Sequence, residues 1–376
     1  MMADSFQQET ILVTGFPTLR AQCLLEELVR GGHRVFLLVR DRHERRAKEE
    51  IRRICREVGG QDNCRVLVGD VTHLDLGLAG ETVEEVVQEV QVVHHMATMY
   101  HVGVDRSTVH RFNVDGTRRM LELAREMKSL RRFCHYSTAQ VAGTREGVIL
   151  ESELEVGQGF HNAYEESRYR AERVVQSMMG ELPISIFRPS IVVGSSRTGY
   201  VDRLVGPHLI VALFAHLPSR LPLPLPGKGH FPLNLVPVDY VAAAAYRLSQ
   251  DTRAEGRTFH LTDPNPGSVR SVFNRISDLT HRSRPFDAVA NLVPYGLART
   301  AMRVPIIERR TRGALHILDS LHSLAVYNRR NTDELLSHSG PHCPPFDAYA
   351  GLLVDHIMNA APSDFNISFE DEAMLD

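Results

Sequence analysis

Residues 10–21 read TILVTGFPTLRA, and this stretch decides the fold class. A short apolar run at residues 10–14 ends at Gly15, and a segment of helical length and pattern follows from Ala21 to Gly31-Gly32. Glycines close the carboxyl ends of helices because they adopt backbone conformations that other residues avoid. The stretch therefore predicts a strand, a tight turn and a helix.

The same alternation of short apolar runs and longer charged segments continues to about residue 190. Predicted strands lie at residues 10–14, 35–39, 65–68, 90–94, 132–137 and 184–188. Predicted helices lie at residues 21–30, 44–57, 82–89, 115–128 and 164–179. Such alternation predicts an α/β fold in which a doubly wound parallel sheet is covered by helices on both faces.

Composition restricts the class of protein. The chain has 376 residues, of which 43% are hydrophobic and 24% are charged, and its formal net charge is −3. This length buries a large core without disulfides or metals, and the balanced charge provides no basic field for nucleic acid. The five cysteines form no short CxxC pair, which indicates reduced thiols and a cytoplasmic location. Residues 1–10 lack an apolar signal core, and the apolar residues 204–217 are too short to cross a bilayer, which leaves peripheral membrane contact open.

The residue composition and pattern of the sequence change after residue 194. Proline and glycine cluster at residues 218–229, a strand-like LNLVPV follows at 233–238, and an alanine-rich helix begins at Asp239. Residues 259–261 predict a last strand, and the remainder is predicted to be mainly helical. We therefore expect a nucleotide-binding domain over residues 1–194. The expected substrate-binding lobe with a helical carboxyl-terminal region covers residues 195–376 and is interleaved with the end of the sheet around residues 233–262.

The turn after the first strand has part of the chemistry of a dinucleotide site. Such a site needs a tight turn, close approach of backbone to pyrophosphate, and N–H groups at a helix amino terminus. Gly15 supplies the turn and Ala21 is a small residue at the last position of the motif. Thr18 stands where the middle glycine is expected, so its Cβ would crowd a phosphate while its hydroxyl could donate a hydrogen bond. Taken alone, the pattern fits a plain strand–turn–helix connection equally well.

Two positions at strand ends bear on the nucleotide. Arg40 ends the second predicted strand, where a cation suits a 2′-phosphate and therefore favours NADP over NAD, although Asp41 beside it complicates this reading. Asp70 follows the third strand, where its carboxylate would accept from an adenine amino group or cap the next turn. A solvated arginine is the alternative interpretation of Arg40.

A tyrosine and an arginine lie one helical turn apart on the helix predicted at residues 164–179. Tyr164 and Arg168 share a face, and a fixed cation helps a tyrosine to ionise and to exchange a proton with a carbonyl oxygen. Thr138, at the end of the fifth strand, would polarise the same oxygen. An ordinary surface Tyr/Arg pair is the alternative.

The ordered motifs resemble the extended short-chain dehydrogenase/reductase superfamily, in its fatty acyl-CoA reductase and thioester reductase branch of the male sterility type. They are TGFPTLRA at 14–21, LLVR at 37–40, GDVT at 69–72, HHMAT at 94–98, NVDGT at 113–117, STAQVAG at 137–143, NAYEESRYRAE at 162–172, FRPSIVVG at 187–194 and VPVDYVAAA at 236–244. The resemblance runs from about residue 11 to residue 241, and it implies a Rossmann-type sheet that binds NADP(H).

This resemblance also implies roles for individual residues. Gly15 and Ala21 would line the pyrophosphate, Arg40 the 2′-phosphate and Asp70 the adenine. The expected cofactor contacts are Thr14, Gly15, Phe16, Pro17, Thr18, Leu19, Arg40, Asp70, Val71, Ala97, Tyr164, Arg168 and Pro189. The expected catalytic set is Tyr164 as proton donor, Thr138, Arg168 and Asn113. Two positions depart from the family pattern, because Thr18 replaces a glycine and Arg168 replaces the lysine that activates the tyrosine.

The resulting hypothesis is an NADPH-dependent oxidoreductase that reduces a hydrophobic acyl thioester, linked to coenzyme A or a carrier protein, or a related carbonyl compound. One alternative is a reductase, epimerase or dehydratase with a polar substrate such as a nucleotide sugar. The other is a cofactor-binding scaffold without catalysis, which Thr18 and Arg168 motivate. The apolar residues 204–225 predict either a wall for an apolar chain or the core of the lobe. Arg197, Arg203 and Lys228 would either meet a phosphate of the carrier or be solvated.

Two further patterns point to no site. His94 and His95 are neighbours on a strand and therefore face opposite sides, and the spacing of His338, His342 and Cys343, with His316 or His322, matches no zinc motif. We therefore expect no metal. Residues 44–56 carry charges of both signs and predict a solvated amphipathic helix.

Overall fold

The computed structural model describes residues 8–59, 63–100, 105–202, 229–281, 324–337 and 340–359. The strands in these ranges are β1 (Thr10–Thr14), β2 (Arg34–Val39), β3 (Cys64–Val68), β4 (Val92–His95), β5 (Arg132–Tyr136), β6 (Gly147–Ile149), β7 (Ile184–Pro189), β8 (Ile191–Val193), β9 (Leu235–Pro237), β10 (Arg257–Leu261) and β11 (Ala325–Tyr327). A seven-stranded sheet has the order β10-β7-β5-β4-β1-β2-β3, and all of its pairs are parallel. The predicted α/β fold is confirmed, and the strands predicted before residue 190 are found with ends that move by one or two residues.

The helices cover both faces of this sheet. They are α1 (Leu19–Arg30), α2 (Glu44–Val58), α3 (Gly80–Glu89), α4 (Arg106–His110), α5 (Gly116–Glu126), α6 (Ala163–Ser177), α7 (Val238–Gln250), α8 (Val269–Leu279), α9 (Arg330–Leu336) and α10 (Phe346–Asn359). Helices α1, α2 and α7 contribute to the apolar core on one face, and α3, α5 and α6 contribute to the core on the other. The inner strands β1, β4, β5 and β7 are almost entirely buried because helices cover both of their faces, whereas the edge strand β3 is largely not buried.

The sheet has one switch point, between β1 and β4. From β1 the chain adds β2 and then β3 on one side, and it returns to place β4 on the other. Crevices at the carboxyl ends of strands beside such a point are where open α/β sheets bind ligands. The fold therefore directs attention to the loops that follow β1 and β4.

The second half of the chain contributes to this sheet and to a smaller layer. The strand-like residues 233–238, the alanine-rich helix and the last strand of the sequence prediction correspond to β9, α7 and β10. β8 pairs with β9, and apolar residues of this pair pack with α8 and α10 in a third core. β10 is the edge strand of the central sheet, and the domain boundary at residue 194 stays a prediction. The apolar residues 204–225, Arg203, Lys228, His316, His322 and His338 lie outside the described residues.

None of the helices in the described ranges combines the length and the apolar character that crossing a bilayer requires.

Four buried histidines lie in the central sheet: His94, His95, His135 and His260. Burial lowers the pKa of His94, His95 and His260 to about 3, and it lowers the pKa of His135 well below its usual value. His94 Nδ1 lies 3.0 Å from the Tyr136 hydroxyl, whereas His95 Nδ1 lies 3.0 Å from Thr14 Oγ1. The four imidazoles are therefore neutral at pH 7.

Candidate active site

A cleft of about 270 Å³ lies at the carboxyl ends of the central strands. Of the residues predicted from sequence, it is lined by Gly15, Phe16, Pro17, Thr18, Leu19, Arg40, Asp70, Val71, Ala97, Thr138, Tyr164 and Pro189. Thr14, Asn113 and Arg168 are not on its wall. The cleft thus brings together residues that the sequence separates by more than a hundred positions.

Gly15 brings the loop after β1 against the end of β4. Its φ is +87°, and a Cβ at this position would lie 2.8 Å from both the Ala97 nitrogen and the Met96 carbonyl carbon. Only glycine satisfies both the conformation and the space. The loop therefore exposes its backbone to the cleft at a point where a side chain has no room.

Thr18 is the N-cap residue of α1 and lines the cleft. Its hydroxyl donates to the Gly15 carbonyl oxygen at 2.8 Å. The hydroxyl is therefore used inside the loop, whereas the sequence suggested that it could donate to a phosphate. This hydrogen bond ties the two ends of the turn together in place of the flexibility that a glycine would give.

One end of the cleft is cationic. Arg40, His43 and Arg46 line it, and the Arg40 guanidinium lies 5.4 Å from the centre of the Phe112 ring. Arg46 belongs to α2, where the predicted amphipathic helix is found: its buried residues are apolar or cysteine, and its charged residues are exposed or half-buried. The sequence did not predict that Arg46 lines the cleft, which follows because α2 begins shortly after the end of β2.

Asp70 lies at the same end of the cleft and also closes a turn. Its Oδ1 accepts from the backbone nitrogen and the hydroxyl of Thr72, both at 2.8 Å. Both functions considered from the sequence are thus compatible at this position, since the carboxylate caps the turn while the residue lines the cleft.

The opposite end of the cleft carries hydroxyl groups. Thr138, which follows β5, and Tyr164, in the first turn of α6, both line the wall. The Tyr164 ring packs edge-on against Tyr100, with ring centres 4.6 Å apart. Thr138 Oγ1 accepts from the Gln140 nitrogen at 3.2 Å, and its hydroxyl donates to the Pro189 carbonyl oxygen at 3.5 Å. Two hydroxyl-bearing side chains at one end of a cleft are suited to binding a carbonyl oxygen.

Arg168 lies behind the cleft wall. Its side chain is fully buried, and its Nη2 donates to the Tyr136 carbonyl oxygen. In the described part of the chain its Nε and Nη1 have no hydrogen-bond acceptor. Burial lowers the pKa of Arg168, and the nearby Tyr164 hydroxyl acts in the opposite direction. The guanidinium is thus close to Tyr164. Arg168 has no exposed surface for the contact with a cofactor that the sequence predicts, because α6 directs this residue toward the sheet.

Thr14 and Asn113 support the cleft from behind. Thr14 Oγ1 accepts from the backbone nitrogens of Met96 and Ala97, both at 3.1 Å. Asn113 Oδ1 accepts from the Met99 nitrogen at 2.7 Å, and its Nδ2 donates to Ser167 Oγ at 2.9 Å. These bonds hold the chain after β4 against β1 and α6. For Asn113 this agrees with the supporting role that the resemblance implies, whereas Thr14 has no exposed atom for a cofactor contact.

The sequence profile of the NAD-binding family described as male sterility protein matches residues 13–245. The chain belongs to this family. The matched span contains both the glycine loop and Tyr164, and the resemblance inferred from the ordered motifs is confirmed.

Several relatives of the chain carry the name fatty acyl-CoA reductase. The chain is 25% identical over 287 residues to the fatty acyl-CoA reductase wat of Drosophila melanogaster, an alignment that covers 65% of this chain and 55% of that protein. The chain therefore spans little more than half the length of that curated relative.

Solved structures of reductases share the fold. The terminal R domain from the myxalamid PKS-NRPS biosynthetic pathway superposes with a TM-score of 0.76 at 25% identity, covering 94% of this chain and 91% of that one. Gre2 from Candida albicans, in complex with NADPH, superposes with a TM-score of 0.68 at 16% identity, covering 94% of this chain and 99% of that one.

Several residues of the cleft wall were not predicted from the sequence. Among them are Arg20, His43, Arg46, Met96, Tyr100, Phe112, Gln140, Ser190 and Asp202. The run of basic residues after Arg40 was a usable signal for Arg46, since a helix that starts at a strand end presents its first turn to the cleft. Asp202 gave no such signal, because its position depends on how the second half of the chain folds back.

A buried ion pair fixes the wall below Thr138. Arg188 and Glu172 side chains are 1% and 0% exposed, and Arg188 Nε donates to both carboxylate oxygens at 3.0 and 3.2 Å. Ser137, on the cleft wall, donates its hydroxyl to the same carboxylate. Glu172 therefore connects the fold of α6 and β7 to the geometry of the site.

Glu172→Gln is expected to lower the free energy of unfolding by about 3 kcal/mol, because it leaves a buried guanidinium without its counter-charge. Urea unfolding followed by circular dichroism measures this. Glu155→Gln is the matched control, since Glu155 pairs with Arg173 at the surface and its loss should cost less than about 1 kcal/mol. Equal losses for the two variants would contradict the prediction.

Proposed function

We propose that this chain is a reductase that uses NADPH to reduce a hydrophobic acyl thioester. One observation carries the proposal: a single cleft joins the glycine loop of an NAD-binding family to the hydroxyl groups of Tyr164 and Thr138. A nucleotide bound along the loop would bring its reactive end to these hydroxyls. The residues on the wall therefore suit a redox step at a carbonyl group.

The residues of the cleft fit a dinucleotide. Gly15 lies on the cleft wall in a turn packed closely against the backbone of Met96 and Ala97, and α1 presents its amino terminus beside this turn. A bound nicotinamide nucleotide supplies the hydride for the reaction. The protein binds and orients this nucleotide, and its own side chains handle the proton.

A preference for NADPH over NADH is supported by the cationic end of the cleft. Arg40, His43 and Arg46 line the wall beyond the loop, at the end of β2, where the ribose of the adenosine would lie. A guanidinium makes charge-assisted hydrogen bonds to a phosphate. An NADP 2′-phosphate would meet these groups, whereas NAD offers them only a neutral hydroxyl.

The proton step is assigned to Tyr164. Hydride adds to the carbonyl carbon of the thioester while Tyr164 gives its phenolic proton to the carbonyl oxygen, and the Thr138 hydroxyl donates a hydrogen bond to that oxygen. The tetrahedral product then returns this proton to Tyr164 as its carbon–sulfur bond breaks. The electron pair of that bond leaves with sulfur, which takes a proton from solvent, and the products are an aldehyde and a thiol.

The hydrophobic acyl thioester is supported by the apolar wall and by relatives. Ile191, Val192, Val193, Val201 and Val238 line the cleft. A relative carries the name fatty acyl-CoA reductase and a structural neighbour is a reductase domain of a PKS-NRPS pathway, which supports coenzyme A or a carrier protein as the acyl carrier.

The five cysteines are all free thiols in the structure, in keeping with a cytoplasmic location.

The proposal predicts a large cofactor preference that depends on Arg40. In calorimetric titrations the wild-type protein is expected to bind NADPH at micromolar concentration and NADH much more weakly. Arg40→Ser should weaken NADPH binding about 10- to 100-fold and NADH binding much less, because NADPH also loses a partner of its 2′-phosphate.

Arg45→Ser is the control for this titration. The Arg45 side chain belongs to the same basic run but is 93% exposed, so its loss should change neither affinity by more than about twofold. Equal affinities of the wild-type protein for the two nucleotides would remove the basis for NADPH. Absence of heat from either nucleotide, with folded protein, would overturn the reductase itself.

A cofactor-binding protein without catalysis is the second candidate, and the position of Arg168 favours it. The family places a lysine there, and in this chain the guanidinium points into the sheet with two of its nitrogens unpaired among the described residues. Tight NADPH binding without reduction of acyl-CoA thioesters from short to long chains would support this candidate over the first.

A further inference from the structure

An acidic side chain occupies the amino terminus of α1. The Leu19 backbone N–H, the first of this helix, donates to Asp202 Oδ2 at 3.1 Å. Asp202 is separated from Leu19 by most of the sheet in sequence, and both residues line the cleft. The contact therefore places a carboxylate where an NAD-binding loop offers N–H groups to a pyrophosphate.

The segment that presents Asp202 is firmly built. It spans residues 195–202, and we call it the aspartate loop. At its start, the nitrogen and the hydroxyl of Ser196 donate to the two oxygens of Asp239, at 2.7 and 2.6 Å. At Gly199 a Cβ would lie 2.0 Å from the Leu352 carbonyl oxygen, so the loop lies directly against α10. Its place beside α1 is thus fixed by contacts on two other helices.

Two anions cannot share this helix end without a cost. The partial positive charge at a helix amino terminus attracts a carboxylate and a phosphate for the same reason, and one N–H satisfies one of them. A pyrophosphate bound along the Gly15 loop would also be repelled by a carboxylate within a few ångströms in a partly desolvated cleft.

We propose that Asp202 competes with the cofactor pyrophosphate for the amino terminus of α1, so that cofactor entry releases the carboxylate from Leu19. This inference rests on the proposed function, since it requires a nicotinamide nucleotide in the cleft. It makes the aspartate loop a reporter of cofactor binding. Because the loop is anchored on α7 and packs against α10, release of Asp202 links the nucleotide end of the cleft to these two helices of the second half of the chain.

Asp202→Asn tests the competition because the amide still accepts from Leu19 N–H but carries no charge. The variant is expected to bind NADPH about tenfold more tightly than the wild-type protein in calorimetric titrations. Adenosine 2′-monophosphate, which has the 2′-phosphate but no pyrophosphate, should bind both proteins with affinities that agree within about twofold. Glu26→Gln is the matched control, because it removes one negative charge from α1 at a position off the cleft wall.

A second readout follows the loop directly. The chain has no tryptophan, and the Tyr200 side chain is 43% exposed and packs edge-on against His356. Tyr200→Trp therefore introduces one tryptophan, on the aspartate loop, whose emission is excited selectively at wavelengths that tyrosine does not absorb. NADP⁺ is expected to shift its emission, whereas adenosine 2′-monophosphate should leave it unchanged.

The outcomes separate this inference from the proposed function. If Asp202→Asn binds NADPH with equal or lower affinity than the wild-type protein, the carboxylate supports the loop and does not compete, and only this inference fails. If the wild-type protein binds neither NADPH nor NADH, the proposed function fails and this inference fails with it. Unfolding midpoints of Asp202→Asn and the wild-type protein that agree within a few degrees establish that affinity, and not folding, is being compared.

Discussion

Tyr164→Phe is expected to bind NADPH as the wild-type protein does and to reduce a long-chain acyl-CoA about 10³-fold more slowly. The phenol is the group that exchanges a proton with the substrate oxygen, and loss of a positioned acid costs about 10²- to 10⁴-fold in rate. Phenylalanine keeps the edge-on contact with Tyr100, so the cleft keeps its shape. Steady-state oxidation of NADPH measures the rate, and calorimetry measures the affinity.

Tyr169→Phe is the control for this variant. Tyr169 is on the same helix, packs against Phe160 and is absent from the cleft wall. Its loss of a hydroxyl should change the rate by less than about twofold, since that hydroxyl takes no part in the proton step. Turnover of Tyr164→Phe at the wild-type rate would refute the assignment of the proton donor.

Acid is expected to unfold the protein because of the four buried histidines. Unfolded histidines take up protons near pH 6.5, whereas three of the folded ones do so only at about pH 3 and His135 also far below its usual value. Between these values the unfolded state holds more protons, so the free energy of unfolding falls as the pH falls. Each histidine accounts for about 1.4 kcal/mol at pH 5.5, and the four together for on the order of 5 kcal/mol. That sum is comparable to the whole stability of many domains.

Urea unfolding at pH 5.5, 6.5 and 7.5 tests this dependence. His135→Leu supplies the comparison, because neither ring nitrogen of His135 has a hydrogen-bond partner in the described ranges. The substitution removes the titration of His135 together with its stacking on the His95 ring, and the loss of stacking affects stability equally at every pH. The variant should gain stability over the wild-type protein at pH 5.5 relative to pH 7.5, by about 1 kcal/mol. An unfolding midpoint that does not change over this pH range would contradict the prediction, because it requires the folded and unfolded states to take up protons equally.

Local sequence patterns were sufficient for the central sheet and for twelve residues of the cleft wall. The strands are short, mainly apolar runs between helical segments, so their positions follow from periodicity, and parallel strands bring their carboxyl ends to one edge. Gly15, Arg40, Asp70, Thr138 and Tyr164 all follow strands or begin a helix, and for that reason they meet in one cleft.

Features that depend on side-chain direction were not predictable from the sequence. The spacing of Tyr164 and Arg168 gives a shared helix face, but that face is wide enough for Tyr164 to line the cleft while Arg168 enters the sheet. The sequence allowed the Thr18 hydroxyl to donate to a phosphate, whereas in the structure it donates to the Gly15 carbonyl oxygen in its own turn. Pairing of β6 with β11 joins segments far apart in the chain, and no local pattern encodes it.

The edge position of β10 and the packing of α7 on α1 have a consequence for evolution and engineering. Leu24 and Leu28 of α1 share one core with Val241 and Ala245 of α7, and β7 pairs with β10 along its length. A fragment that stops at residue 194 would expose this core to water and leave β7 as an unpaired edge strand, which promotes aggregation. The two halves of the chain therefore cannot be exchanged independently of each other. We expect recombination between relatives to keep the packing of the nucleotide-binding half when the crossover points fall outside the stretch from β1 to β10.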